Sequence, residues 1–156
     1  ATSYELATTY DEDEIELLDW VQSADTLYIT SPDRCPRKLT RTDHDSWSIA
    51  DLGFDANNWP PFLDKNITAT TITPSATTGS ITLTASASLF NSDMVGGWFA
   101  LNSGYCKVTG YTSGTVVDAD VVITLSGTGA TADWYESAWS DHQGWPVCAT
   151  FYEDRL

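Results

Sequence analysis

A histidine flanked by two carboxylates, Asp43-His44-Asp45, is the arrangement in this chain with the plainest capacity for chemistry. A carboxylate can orient an imidazole for proton transfer, and the same three groups can ligate a metal. The second histidine, His142, lies far along the chain in a Gly-Trp-Pro turn context, and the residues around Asp43 have turn composition, so Asp43-His44-Asp45 reads as a polar turn. The acidic run Asp11-Glu12-Asp13-Glu14 lacks the spacing and the glycine of a calcium loop. It sits where a helix should begin, and the helix dipole favours negative charge there. Cys35, Cys106 and Cys148 are odd in number and form no Cys-x-x-Cys pair, which argues against a disulfide framework or a zinc ribbon. They read as reduced, structurally incidental thiols.

Catalytic signatures are absent as well. The chain has no Gly-x-Ser-x-Gly elbow, phosphate-binding glycine loop, His-Glu-x-x-His or serine recognisably paired with His and Asp. The many carboxylates could in principle supply a glycosidase pair, but nothing selects two of them. The expectation is therefore a protein without enzymatic activity, cofactor or metal. Seven Trp and seven Tyr on a β scaffold leave one alternative function, a carbohydrate-binding module stacking sugars on Trp59, Trp98, Trp134, Trp139 and Trp145. Aromatics flanked by turn residues more commonly anchor the packing at sheet corners.

Charge narrows the partners. With 22 acidic and 7 basic residues the formal charge is −15, which disfavours binding to duplex DNA or to anionic lipid, since phosphates call for clustered Lys and Arg. Four of the seven basic residues, Arg34, Arg37, Lys38 and Arg41, fall in one short stretch. In so acidic a chain this strip either balances the charge of its own surface or docks on carboxylates of a neighbouring copy, which makes it the candidate subunit interface. No apolar run approaches the ~20 residues of a membrane span, and Ala1-Thr2-Ser3 does not open a signal peptide. Asn66-Ile67-Thr68 matches a glycosylation acceptor, read as a chance match.

The elements that would position these groups are mostly strands. The stretch 22–49 organises the rest: Thr26–Thr30, Arg37–Arg41 and Trp47–Ile49 read as three antiparallel strands joined at Ser31-Pro32-Asp33 and at Thr42–Asp45. Such a unit cannot bury its apolar face alone and should belong to something larger. Tyr4–Thr8 alternates like a strand. One helix is expected after it, capped by Asp11 with Glu14 completing a capping box, Tyr10 and Ile15 as a staple, and Ile15, Leu18, Val21 and Leu17 as its buried stripe. After the junction at Pro60-Pro61 the composition turns to Thr, Ser, Ala and Gly, with strands expected at 68–73, 80–85, 95–101, 105–111 and 115–125. These predict a small barrel or sandwich of about 65 residues, near the lower limit for an independent core. Aromatic and turn chemistry returns at Ala138-Trp139-Ser140 and Gly144-Trp145-Pro146, and Val147–Tyr152 reads as a strand running nearly to Leu156, as if both ends were cut from a longer chain. The reading is a mainly β protein with one short N-terminal helix: a discontinuous host sheet from 1–63 and 133–156, and an inserted module at 64–132.

Taken together, Gln22–Asp25 with Leu27-Tyr28-Ile29, Pro32, Pro36–Arg41 and Trp47 resemble the N-terminal part of tail nozzle proteins of short-tailed bacteriophages, the relatives of tail tubular protein B. Tyr4–Thr8, the capped helix and the closing Trp139-Ser140, Gly144-Trp145-Pro146 and Phe151–Leu156 fit the same pattern, so the likeness covers roughly half the chain, on its two flanks. Cys35, where a turn residue such as proline is usual, and the heavy acidity depart from it. The middle, with Ala87–Phe90, Val95-Gly96 and Lys107–Tyr111, resembles modules labelled as like the first catalytic-cysteine half-domain of ubiquitin-activating enzymes, which implies a β-barrel fold and no ubiquitin chemistry. The resemblance implies a structural tail component of a phage or prophage, residing in the virion tail and in host cytoplasm during assembly. Its partners would be other tail or adaptor subunits in a homo-oligomeric ring that conducts DNA, without specific nucleic-acid binding or membrane contact.

Overall fold

The computed structural model describes residues 4–151, and these are mainly β, with one short helix and antiparallel sheets throughout. They form two compact units, residues 4–53 with 144–151 and residues 54–143. The segments 54–63 and 133–143, grouped with the host sheet on sequence grounds, make their contacts in the second unit: Phe62 bridges to Ser137, and the Leu63 amide donates to the Glu136 carbonyl at 2.8 Å.

The first unit holds a four-stranded meander, β1 (Asp19–Ser23), β2 (Thr26–Ser31), β3 (Arg34–Asp43) and β4 (Ser46–Asp51), in chain order. Two-residue turns connect the strands at Ala24-Asp25, Pro32-Asp33 and His44-Asp45. Ala24 takes the left-handed conformation at φ 50° that the first of these turns imposes. Before the sheet, α1 (Glu12–Ile15) is a single turn whose capping box is complete: the Glu14 amide donates to Asp11 Oδ1 at 2.9 Å and the Asp11 amide to Glu14 Oε2 at 3.0 Å.

The expected longer helix does not form. Val21 lies in β1, opposite Tyr28 of β2, and Ile15 and Leu17 are exposed rather than lining a stripe. Pairing with β2 holds Asp19–Ser23 in the sheet, where a solitary helix of that length would be only weakly stable. Tyr4–Thr8 and Val147–Phe151 carry no strand, because alternation makes a strand only where a partner edge exists. Tyr152, the end of the latter expectation, lies outside the described residues. Residues near the C-terminus nonetheless meet the first sheet: the Phe151 ring stands edge-on to Tyr28 at 5.9 Å, and the Ala149 amide donates to Asp19 Oδ2 at 3.1 Å.

The second unit is a curled, half-barrel sheet of six strands, β5 (Ile72–Pro74), β6 (Ser80–Ala85), β7 (Trp98–Leu101), β8 (Gly104–Ser113), β9 (Val116–Ile123) and β10 (Trp134–Glu136), in the order β10-β7-β8-β9-β6-β5. A bridge from Ile72 on one edge strand to Thr131, just ahead of the other edge strand, draws the two margins together. Alternation places Ile81, Leu83 and Ala85 of β6, Cys106 and Val108 of β8, and Val117 and Ala119 of β9 inside. Phe90, Phe99 and Trp134 fill the core as an edge-to-face series, with centroids 5.7 and 5.9 Å apart. The Gly96-Gly97 pair holds β7 to a start at Trp98, later than its apolar run suggests. Met94, in a single 3₁₀ turn (Ser92–Met94), is buried beneath it.

Candidate functional site

The basic strip is the clearest concentration of charge, and the structure spreads it along β3. Arg34 and Arg37 both lie over the Tyr10 ring, their guanidinium carbons 5.2 and 5.1 Å from its centroid. Both also donate to Thr9 Oγ1, at 2.9 and 2.8 Å. Arg34 further donates to Glu14 Oε1 at 2.7 Å and Arg37 to Asp51 Oδ1 at 2.9 Å. Arg41 reaches Asp25 at 3.5 Å and lies over the Trp47 ring at 5.9 Å. The three arginines are thus engaged within their own unit, Arg34 and Arg37 pinning the N-terminal segment to the sheet, while the Lys38 side chain stands exposed. Burial raises the Tyr10 phenol above its ordinary value, and the two guanidiniums oppose that shift without cancelling it.

The groups that first suggested chemistry take structural positions. His44 and Asp45 form the β3–β4 turn; the His44 amide donates to Asp43 Oδ1 at 2.7 Å, and its carbonyl accepts Trp47 Nε1 at 3.1 Å. His142 pairs instead with Glu136, Nδ1 to Oε1 at 2.6 Å, in the second unit. Among the described residues no three His, Cys, Asp or Glu side chains converge as a metal group. Cys106 lies in the core of the second unit, where burial pushes its thiol up to about 12; Cys35 is half-buried and Cys148 exposed. Asn66 is occupied: its Nδ2 donates to the carbonyls of Thr68, Thr70 and Ala132 at 3.0–3.1 Å, and its Oδ1 accepts from the Thr68 amide and hydroxyl. A glycan on that nitrogen would break the knot tying 66–70 to Ala132.

The tryptophans divide sharply. Trp98 and Trp134, candidate platforms only under the alternative carbohydrate-binding reading, are 2% and 8% exposed and serve as packing, with Trp134 Nε1 donating to the Thr70 carbonyl at 2.9 Å. Trp139 is half-buried against Phe54, and Trp145 is half-buried. Trp59 remains 45% exposed and leans on Tyr105, with centroids 5.2 Å apart. Beside this pair opens a cleft of about 650 Å³ lined by Phe62, Ala100, Tyr105, Asp133 and Tyr135 and by the β7–β8 turn. None of these residues stands out in sequence, because the cleft depends on strand register.

No protein-family model and no curated protein matches this chain. No helix among the described residues is long and apolar enough to cross a membrane.

Proposed function

We propose that this chain is a structural component of a bacteriophage or prophage tail, of the nozzle or tube kind, working in assembly and DNA passage without catalysis. The observation that carries the reading is the uneven burial of apolar side chains. The second unit encloses a continuous cluster running from Ile72 to Trp134, whereas among the described residues the first unit buries only two apolar side chains, Ile29 and Pro36. Trp20 of β1 is 61% exposed, and Ile15, Leu17, Tyr4 and Trp47 are also largely open. Leu27, Leu39 and Trp47 line a groove on the sheet face, and Tyr4 and Leu6 extend the apolar surface beside it. A four-stranded sheet left so open gains stability by packing against further subunits, as a blade of a ring does.

The resemblance of 22–47 to the nozzle proteins supplies the kind of assembly, and the charge of −15 suits a conduit. An acidic wall repels DNA phosphates and lets the genome slide without sticking. Immunogold electron microscopy with antibodies to this chain, on phage particles induced from the strain that encodes it, tests the role. Label at the tail is the expected result. Label confined to the capsid, or absent from particles while the chain is being made, overturns it.

A further inference from the structure

The cleft of the second unit rests on a cross-strand row. Ala100 of β7 pairs with Tyr135 of β10 on one side and with Tyr105 of β8 on the other. All three alternate with core residues, Phe99, Leu101, Cys106 and Trp134, and so face away from the core. At about 4.8 Å between neighbouring strands, the two tyrosine backbones stand about 9–10 Å apart across a methyl group. That leaves an aromatic-walled gap the width of one sugar ring.

The surroundings are fixed in advance. Trp59 and Phe62 each pack against Tyr105 with centroids 5.2 Å away, leaving it little freedom to swing. One wall is the β7–β8 turn, where Asn102 and Ser103 both take positive φ, 46° and 60°, as a tight two-residue hairpin favours, and contacts from beyond the turn hold it in place. Here those contacts are visible: Asn102 Nδ2 donates to the carbonyls of Gly127 and Gly129 at 3.0 Å each, and the Ser126 amide and hydroxyl donate to the Asn102 carbonyl at 2.7 and 2.9 Å. The rim carries the Ser103 hydroxyl and the Asp133 carboxylate, whose Oδ1 accepts from Lys65 Nζ at 3.0 Å.

We propose that the cleft over Ala100, between Tyr135 and Tyr105, binds a neutral pyranose-based saccharide. Aromatic rings present flat apolar faces to the C–H side of a sugar, while a carboxylate and a hydroxyl take its equatorial hydroxyls; small-ligand sites combine such apolar walls with a few fixed polar groups at volumes like this one. Anionic ligands are disfavoured, because the lysine beside the cleft is paired with Asp133 and the chain carries −15. The tryptophans singled out by sequence contribute only through Trp59, which braces Tyr105. The proposal does not depend on the assembly role.

Calorimetric titration of the chain with cellohexaose, maltohexaose and chitohexaose tests it, accompanied by amide chemical-shift mapping. Saturable binding of at least one hexaose is expected, with shifts centred on Ala100, Tyr105 and Tyr135. Tyr135→Ala, on a solvent-facing edge position, should weaken binding roughly tenfold, the order of one lost aromatic platform. Ala100→Leu should abolish it by filling the gap while leaving the melting temperature of the second unit nearly unchanged. No binding of any of the three sugars overturns the proposal, as does binding that both variants retain undiminished.

Discussion

Arg34 Nε donates to Glu14 Oε1 at 2.7 Å, joining the start of β3 to the capped turn twenty residues earlier. Glu14 does three things at once: its amide and its Oε2 complete the capping box with Asp11, and its Oε1 receives Arg34, all at 8% exposure. Glu14→Ala removes the side-chain half of the box and leaves a partly buried guanidinium short of its partner, so it should destabilise the first unit by about 2–3 kcal/mol, less than a fully buried pair because Arg34 is partly solvated. Glu14→Gln retains an acceptor for the Asp11 amide and should cost about half as much. Hydrogen exchange by mass spectrometry reads this directly: β2 and β3 amides should exchange faster, and β6 and β8 amides unchanged. Equal acceleration in both units would sink the assignment.

Tyr10, in contact with two guanidiniums, carries a pH signature. Burial raises its pKa, so the folded chain holds the phenol proton more tightly than the unfolded chain does. The resulting stabilisation is fully present below the unfolded value near 10 and is lost as pH rises through the higher folded value. Alkaline unfolding followed by phenolate absorbance should therefore show the first unit weakening as pH climbs from about 10 through the higher folded value. Tyr10→Phe keeps the ring under Arg34 and Arg37 and should flatten this component of the profile.

How far the sequence disclosed these features depends on whether a signal was local. β6 was legible end to end because Ile81, Leu83 and Ala85 alternate with polar residues over the same six positions that form the strand. The capping box at Asp11 and Glu14 was equally legible, being a contact between residues three apart. The helix it announced was not, because the Ile15, Leu18, Val21 spacing that mimics a helical stripe is overridden where Val21 pairs with Tyr28. The Tyr135–Ala100–Tyr105 row was illegible for a related reason: β10 is only three residues long, and its register on β7 is set by chain pairing across more than thirty positions. The basic strip was found as a cluster, but its engagement with Tyr10, Thr9 and Asp51 emerges only once the N-terminal segment lies on the sheet.

Gly104 opens β8 where nothing larger fits. A β-carbon there would sit 2.6 Å from the Thr124 carbonyl oxygen and closer still to that of Ile123, both backbone atoms that cannot swing aside. Gly104→Ala should cost more than about 2 kcal/mol. Gly127→Ala, with open space around its position and no left-handed backbone, should stay within about 0.5 kcal/mol of wild type. Urea unfolding of the two variants side by side checks the contrast, and equal midpoints would contradict the packing described for the β8–β9 margin.

The cysteines should separate by reactivity. Cys148 is exposed, whereas Cys106 is fully buried in the core of the second unit with its thiol pushed up to about 12. At about pH 8 only about one Cys106 thiol in ten thousand would be ionised even if reagent could reach it. An aromatic disulfide reagent should therefore modify Cys148 rapidly in the native chain and Cys106 only at the rate at which the second unit opens. Cys148→Ser should abolish the fast phase; a fast phase surviving that change and assigned to Cys106 by peptide mapping would show that the core admits reagent.

Within the basic strip, Lys38 is the residue that tests the assembly surface cleanly. Arg34, Arg37 and Arg41 are engaged by carboxylates and rings of their own unit, so reversing any of them would damage the fold before it reported on a partner. Lys38, exposed on β3 and paired in register with Tyr28 and Ala50, can be reversed without removing an internal ion pair. If the strip docks on acidic residues of a neighbouring subunit, Lys38→Glu should leave thermal stability within about 0.5 kcal/mol and slow association about tenfold at low salt, with the difference shrinking as salt screens the charges. Sedimentation velocity across a salt series measures this. An oligomer that forms equally fast with Glu at position 38 would remove the strip from the proposed interface and leave the open apolar face of β1–β4 as the remaining candidate contact.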